Sequence, residues 1–237
     1  MALNRIFSIS DCLGRSITAY RENFTLLLNF SLAASAPVVF RMLLQTTADE
    51  GLAALGMLLG PMVFCSYVFF FMCQVFVVSN SMQGQALGAK EVMGYVRARF
   101  LRLLGAYFLF TMVVFLGFFL LVIPGVYALT VLMFYPFIIM IEDKKLWDSF
   151  KRSYELVKGY FWPVLGANAA VFLISLALFI PVFIALRMMG SSDVILLIIL
   201  GVMGTLTAPL FVIFYYLIYD ALKIEKDGVL NIVQRSV

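Results

Sequence analysis

Six long apolar segments, separated by short connections that carry nearly all of the charge, are the feature that most limits what this chain can fold into. A helix needs about 20 predominantly apolar residues to cross the hydrocarbon core of a bilayer, so segments of this length predict membrane-spanning helices. The fourth segment is short for a span and is expected either to include part of a turn or to lie where the membrane is thinner. The predicted spans lie at about 24–44, 52–78, 103–122, 126–141, 161–186 and 194–219.

The composition indicates the same class of protein. Hydrophobic residues make up 64% of the 237 residues and charged residues only 13%, whereas a soluble domain has about 25% charged residues. The strands of an outer-membrane barrel alternate apolar and polar residues, but the apolar segments here are continuous. We therefore predict an all-α polytopic membrane protein, with six transmembrane helices and amphipathic cytoplasmic surface helices in a single integral membrane domain over residues 1–237.

The basic residues predict the orientation of the spans. Six spans place both termini on the same side of the membrane. All but two of the 17 Lys and Arg residues lie on that side, in the segments 1–23, 79–102, 142–160 and 220–237. Because loops rich in lysine and arginine stay in the cytoplasm, both termini and the 220–237 tail are predicted to be cytoplasmic. The two exceptions are Arg41 and Arg187, which are expected to extend to the head groups or to pair with Asp49, Glu50 or Asp193.

The segment 142–160 is the densest charge cluster and predicts an amphipathic helix. Its apolar residues recur at steps of three and four and therefore share one face: Leu146, Phe150, Tyr154, Val157 and Phe161. The basic residues fall off this face: Lys144, Lys151, Arg152 and Lys158. A basic amphipathic helix between two spans is typical of a helix that lies on the membrane surface, and a solvated linker helix is the alternative.

The N-terminal segment 1–23 resembles 142–160 in its pattern of charge. Two basic residues and a phenylalanine recur with the same spacing in both places: Arg15, Arg21 and Phe24, and then Arg152, Lys158 and Phe161. A basic amphipathic stretch also precedes the third span. The chain is therefore predicted to contain three units, each a surface helix followed by a two-span hairpin. A basic flank before each span would also arise from orientation alone, and this remains the alternative.

The sequence predicts no catalytic, metal or cofactor site. It has no histidine, which excludes Ser-His-Asp and Cys-His nucleophile systems and histidine metal sites. No glycine-rich nucleotide-binding motif follows a strand-like segment. Acidic residues lie in connections or at span edges, with Glu142 and Asp220 nearest the hydrocarbon. Ion-coupled transporters usually keep ionisable groups inside the membrane, so this distribution does not favour a coupled transporter.

The spans contain small polar residues and prolines. The polar residues are expected to form hydrogen bonds between helices, and lining a path is the alternative: Asn29, Ser31, Ser35, Gln74, Thr111, Asn168, Ser175, Thr205 and Thr207. Proline inside a span frees a carbonyl and bends the helix, which serves packing or, in some transporters, a binding site. Six prolines lie in or at the start of spans: Pro37, Pro61, Pro136, Pro163, Pro181 and Pro209.

Two blocks of the second half resemble a known family. The first contains, in order, Leu121-Val-Ile-Pro-Gly125, Pro136-Phe-Ile-Ile-Met-Ile-Glu142, Ser149-Phe-Lys-Arg-Ser153 and Lys158-Gly-Tyr-Phe-Trp162. The second contains Thr207-Ala-Pro-Leu210 and Tyr216-Leu-Ile-Tyr219-Asp220-Ala-Leu-Lys223. This order resembles the glycerophosphoryl diester phosphodiesterase membrane-domain family and is similar to the related YciC-like bacterial inner-membrane proteins. The resemblance covers about 120–220 well and the first half only loosely.

The resemblance implies a six-span protein of the bacterial inner membrane. Some members of that family carry a soluble phosphodiesterase fused to the membrane domain. The catalytic domain of those members needs histidines and metal-binding carboxylates, and this chain has no histidine. The enzymatic activity is therefore not carried over.

These observations lead to one principal hypothesis about function. The chain is predicted to be a non-enzymatic multi-pass inner-membrane protein that interacts with lipids or with a membrane-protein partner, which includes a second copy of itself. Nucleic acid is not an expected partner, because the charge is confined to short connections. A passive translocator of lipid or a small amphiphile is the alternative, and an intramembrane enzyme ranks third. The residues expected to contact anionic lipid are Lys144, Lys151, Arg152, Lys158, Arg97, Arg99 and Arg102.

Overall fold

The structure, a computed structural model, describes residues 9–45, 50–85, 87–190 and 192–235. All regular elements in these ranges are α-helices, which confirms the predicted all-α class. They are α1 Ile9–Glu22, α2 Phe24–Gln45, α3 Glu50–Leu58, α4 Gly60–Ser81, α5 Ala89–Leu120, α6 Val122–Leu132, α7 Tyr135–Ile141, α8 Leu146–Val157, α9 Phe161–Met188 and α10 Asp193–Arg235.

Six segments of the described chain are long and apolar enough to cross a membrane, as predicted. The fourth is made of α6 and α7 together. Large apolar side chains are exposed along these segments, for example on α9, where Phe172, Leu173, Ile184 and Met188 are at least half exposed. Exposed apolar surface of this extent requires a partner other than water, and the chain is a membrane-embedded helical protein. The segments are 24–44, 60–81, 89–120, 122–141, 161–188 and 193–228.

The second span begins eight residues later than the hydropathy pattern predicts. The apolar residues from 52 onward form the separate helix α3, which ends at Leu58. A turn at Leu59 follows, and Pro61 lies in the first turn of α4. Proline lacks the amide hydrogen that a helix interior needs and is favoured at such a start, so the long apolar run divides here.

The third span is longer than predicted and includes the basic stretch before it. Helix α5 begins at Ala89, where the Glu91 carboxylate accepts a hydrogen bond from the Gly88 amide at 3.0 Å, and continues for 32 residues. The basic stretch is therefore the first part of the spanning helix and not a separate surface helix. The chain turns at the extended residue Leu121, while Pro124 occupies the first turn of α6, where proline is tolerated.

The last helix extends well beyond the predicted span 194–219. Helix α10 continues to Arg235, so the charged residues from 220 onward belong to the same helix as the span. Helix α10 contacts α1, α2, α4, α8 and α9 and is the central element of the bundle. The buried core is formed where α4, α7 and α10 meet, with residues such as Met72, Ile138 and Ile218 fully enclosed.

The hairpin between α5 and α6 depends on a close approach of two glycines. A Cβ atom added to Gly117 would lie 2.8 Å from the Cα of Gly125 and 2.9 Å from its amide nitrogen. These are backbone atoms that cannot rotate away. Small residues that allow backbones to approach are a common way for helices to pack in membranes, where apolar burial between helices offers little gain over lipid.

We expect Gly117→Ala to destabilise the protein by about 1–3 kcal/mol, because overpacking a tight contact forces the backbone apart. The matched control is Gly94→Ala in the same helix, where an added Cβ meets nothing within 4 Å. Alanine is favoured over glycine in a helix by about 0.5–1 kcal/mol, so this control should be neutral or stabilising. The measurement is the thermal unfolding midpoint in detergent. Equal midpoints for the two variants would contradict the close approach.

Candidate functional site

Helix α8, the most charged segment in the sequence, is docked against the bundle. Its buried residues contact α5, α6, α7 and α10, and they are Ser149, Phe150, Ser153, Leu156 and Val157. The predicted apolar face included Tyr154, which is 42% exposed, and omitted both serines. The direction of the buried face therefore differs from the one that apolar periodicity indicates.

The hydrogen bonds of Ser153 explain why a serine lies in this buried face. The fourth span is interrupted between α6 and α7, just before Pro136, and such a break leaves backbone groups without helical partners. The Ser153 hydroxyl donates to the carbonyl of Val131 at 2.7 Å and accepts from the amide of Phe134 at 3.3 Å. One side chain of α8 thus satisfies both sides of the interruption, and this fixes the rotation of α8 about its axis.

Glu142, just after α7, is the centre of an ion-pair cluster. Its carboxylate accepts a hydrogen bond from the Tyr219 hydroxyl at 2.8 Å. It lies 3.5 Å from Arg152 Nε, 3.7 Å from Lys144 Nζ and 3.9 Å from Lys223 Nζ. The Glu142 side chain is only 12% exposed, so these groups, which come from α8, from α10 and from the connection between α7 and α8, neutralise a largely buried charge.

Arg152 links this cluster to the extension of α10. Its Nη2 atom donates to Asp227 at 2.6 Å, and its side chain is 12% exposed. Burial by itself lowers the pKa of the guanidinium. The hydrogen bond to Asp227 and the charges of Glu142 and Asp227 outweigh that effect and raise the pKa, so Arg152 stays charged.

Asp143 forms a second charged contact with α5. Its carboxylate accepts hydrogen bonds from Arg99 Nε and Arg102 Nη1, both at 2.9 Å. The hydrogen bond from Arg99 holds the pKa of the Asp143 carboxyl below its usual range. Arg99 also lies over the ring of Tyr95 at 3.7 Å, a cation–π contact. The segments 89–102, 142–160 and 220–228 meet at one end of the bundle. We call this end the charged end.

The seven basic residues that the sequence marks as lipid contacts fall into two groups. Four of them are paired with acids inside the protein: Arg99, Arg102, Lys144 and Arg152. For Arg152 this differs from the predicted exposed position, because α8 is rotated so that the guanidinium points to Glu142 and Asp227. The other three, Arg97, Lys151 and Lys158, are exposed and form no ion pair within 4 Å in the described part of the chain.

Helix α8 presents a stripe of alternating aromatic and basic residues away from the bundle. Trp147, Lys151 and Tyr154 are spaced at four and three residues and therefore line up along one face of α8, and Lys158 follows directly after the end of the helix, four residues beyond Tyr154. Trp147 is 71% exposed and Tyr154 42% exposed. We call these four residues the α8 stripe. The sequence marked both lysines but assigned Tyr154 to the buried face and did not single out Trp147; the spacing of Trp147 to both lysines was the available signal.

Asn29 is exposed, and the other eight polar residues within the spans behave in three ways. Gln74 donates to Ser31 at 3.1 Å and Thr205 donates to Ser35 at 2.8 Å, which confirms hydrogen bonds between helices at these positions. The buried amide of Asn168 has no hydrogen-bond partner in the described structure. Three hydroxyls bond a carbonyl of their own helix four residues earlier: Thr111, Ser175 and Thr207.

Arg41 and Arg187, the two basic residues at the opposite end, each contact a polar partner. Arg187 pairs with Asp193 at 2.8 Å, one of the predicted alternatives. Arg41 Nε donates to the carbonyl of Gly56 at 3.0 Å. Asp49 and the side chain of Glu50 lie outside the described residues. Among the described residues, no group of three or more His, Cys, Asp or Glu is placed to hold a metal ion.

Residues 106–222 match a family model described as a domain of unknown function, DUF7847. The matched range, a little under half of the chain, contains α6 to α9, Glu142 and the α8 stripe. The chain matches no curated protein and no solved structure. The similarity therefore indicates which part of the chain recurs in other proteins, without an activity.

We expect Glu142→Gln to lower the free energy of unfolding by about 2 kcal/mol, because glutamine keeps the shape but removes the charge that Arg152, Lys144 and Lys223 share. The control is Glu155→Gln on the exposed side of α8, which removes the same charge and should have little effect. Denaturation in detergent measures both. A loss of stability as large in Glu155→Gln as in Glu142→Gln would contradict the central role of Glu142.

Proposed function

We propose that this chain is a non-enzymatic multi-pass protein of the bacterial cytoplasmic membrane that binds anionic lipids at its charged end, which faces the cytoplasm. The side from which the lipid is bound follows from the charge distribution, since 11 of the 17 basic residues belong to the three segments that meet at that end. The resemblance to the phosphodiesterase membrane-domain family belongs to the same proposal, as a likeness of architecture and not of activity.

The α8 stripe is the observation that carries the proposal. Trp147 is 71% exposed on the protein, and a tryptophan in this setting is suited to the head-group region, where its ring and its N–H meet different environments. Lys151 and Lys158 alternate with the aromatic residues and have no acidic partner within 4 Å in the described chain. Two unpaired ammonium groups beside two interfacial rings suit the phosphate of an anionic lipid.

The pairing of the other cations also supports this assignment. Arg99, Arg102, Lys144 and Arg152 are held by Glu142, Asp143 and Asp227. Their charges serve the protein itself, so that of the seven predicted lipid contacts only Lys151, Lys158 and Arg97 have no acidic partner in the described part of the chain. A membrane-protein partner that carries acidic groups would use the same surface.

We expect Lys151→Gln/Lys158→Gln to weaken binding of phosphatidylglycerol by roughly 30-fold, since each basic residue near the surface contributes about 1 kcal/mol. Binding of phosphatidylcholine should not change. Lipid titration followed by native mass spectrometry measures both. The control, Lys90→Gln/Lys145→Gln, removes two exposed lysines of the charged end that lie outside the α8 stripe. An equal loss in both double variants would show that general charge, and not the stripe, binds the lipid.

The two tryptophans allow a direct test of where α8 lies. In Trp162→Phe the remaining tryptophan is Trp147, and we expect lipids brominated near the glycerol end of the chain to quench its fluorescence in vesicles. Trp147→Phe retains Trp162, which is 75% exposed at the start of a span and serves as the positive control. Quenching of Trp147 by aqueous iodide without quenching by the brominated lipid would place the stripe in water and overturn the proposal.

A further inference from the structure

A cavity of about 340 Å³ lies among α2, α4 and α10, within the membrane-spanning segments and away from the charged end. Its volume is in the range of small-molecule sites. No acidic or basic side chain lines it. The lining on α2 extends from Ser31 to Met42 and that on α10 from Leu197 to Ala208, each about 16 Å at 1.5 Å per residue.

The polar groups of the cavity are gathered toward one end. Helix α2 is antiparallel to α10, because Ser35 meets Thr205 and Val39 meets Gly201. It is antiparallel to α4 as well, because Asn23 at its start bonds Ser81 at the end of α4. Ser31, Ser35, Gln74 and Thr205 therefore lie nearer the charged end, and the opposite part is apolar, with Met42 and Leu197.

Gln74 lines the polar part of the cavity and carries a polar atom without a hydrogen-bond partner among the described residues. Its side chain is 2% exposed, and its amide nitrogen bonds the Ser31 hydroxyl at 3.1 Å. Its carbonyl oxygen Oε1 is buried and has no hydrogen-bond partner in the described structure. A buried polar group left unpaired is unfavourable, so a ligand in the cavity whose hydroxyl reached this oxygen would remove that cost.

We propose that the cavity binds a neutral single-chain lipid alcohol, with its hydroxyl on Gln74 and its chain along the apolar part between α2 and α10. A hydroxyl both donates and accepts, so it can pair with the carbonyl of Gln74 and, if the amide is turned over, with its amino group. The chain would replace empty space beside Val38, Val39 and Leu200, where the lining otherwise lacks contacts.

The depth of Gln74 decides against larger or charged head groups. Gln74 is seven residues from the end of α4 at Ser81, about 10 Å below that end of the helix. A phosphate or carboxylate at this depth would lose its hydration without a cation to replace it. A single hydroxyl has a much smaller cost of burial and meets an acceptor there. Met42 and Tyr67, 40% and 41% exposed, border the cavity and allow a chain to enter sideways from the bilayer.

The test uses the full chain in nanodiscs and a dodecanol that carries a photoactivatable diazirine in its chain. We expect labelling of the α2 peptide that contains Val38 and Met42. Unlabelled dodecanol should prevent labelling at a mole fraction about tenfold lower than dodecane, the difference that one hydrogen bond of about 1.4 kcal/mol makes. Dodecanoate should compete poorly. Equal competition by dodecanol and dodecane, or strong competition by dodecanoate, would overturn the proposal.

Two variants separate the hydroxyl site from the chain site. Gln74→Leu should remove the advantage of dodecanol over dodecane while labelling persists. Gly204→Leu should abolish labelling, because Gly204 lines the cavity and an added Cβ there meets nothing within 4 Å, so the leucine fills the space. Thr111→Val, on the exposed side of α5, should behave as wild type. Labelling that persists in a folded Gly204→Leu, or a dodecanol advantage that persists in Gln74→Leu, would contradict the assignment.

Discussion

The contacts of Glu142 hold the charged end of the molecule together. This carboxylate follows α7, and it receives Arg152 from α8 and both Tyr219 and Lys223 from α10. Arg152 in turn pairs with Asp227, in the part of α10 that extends past the predicted span 194–219. Because the group at the centre is largely buried, its charge requires these partners, and the partners in turn determine where α8 and the extension of α10 are placed.

The position of α8 has a consequence for the surface that it presents. Ser153 forms hydrogen bonds with the interrupted backbone between α6 and α7, and Arg152 forms ion pairs with Glu142 and Asp227, so these two adjacent residues face the protein. Trp147, Lys151, Tyr154 and Lys158 are thereby left facing outward. The α8 stripe that we propose for lipid binding is therefore a result of how the other side of the helix is satisfied.

Inside the membrane, uncharged polar groups also require hydrogen-bond partners. Most hydroxyls in the spans bond a carbonyl of their own helix, as Thr111 and Ser175 do. The side-chain amide of Gln74 has two polar atoms. Among the described residues, its nitrogen has a hydrogen-bond partner and its oxygen has none. A cavity beside an amide of this kind links helix packing to ligand binding, since the ligand completes a hydrogen-bond pattern that the three surrounding helices leave incomplete.

The amino-acid sequence alone determined the all-α membrane class and the number of spans, because hydrocarbon excludes unpaired backbone groups and so forces each apolar segment into a helix. It did not determine where helices end: Pro61 divides one apolar run, while α5 and α10 continue into charged segments because helical hydrogen bonds do not stop where hydrophobicity does. It identified Lys151 and Lys158 as basic residues off the apolar face of α8. It assigned Tyr154 to that apolar face, although Tyr154 is exposed, and it did not predict that Arg152 is largely buried. Periodicity determines which residues share a face of a helix. Only the tertiary structure decided where that face points, since the partners of Ser153, Arg152 and Gln74 come from segments distant in the chain.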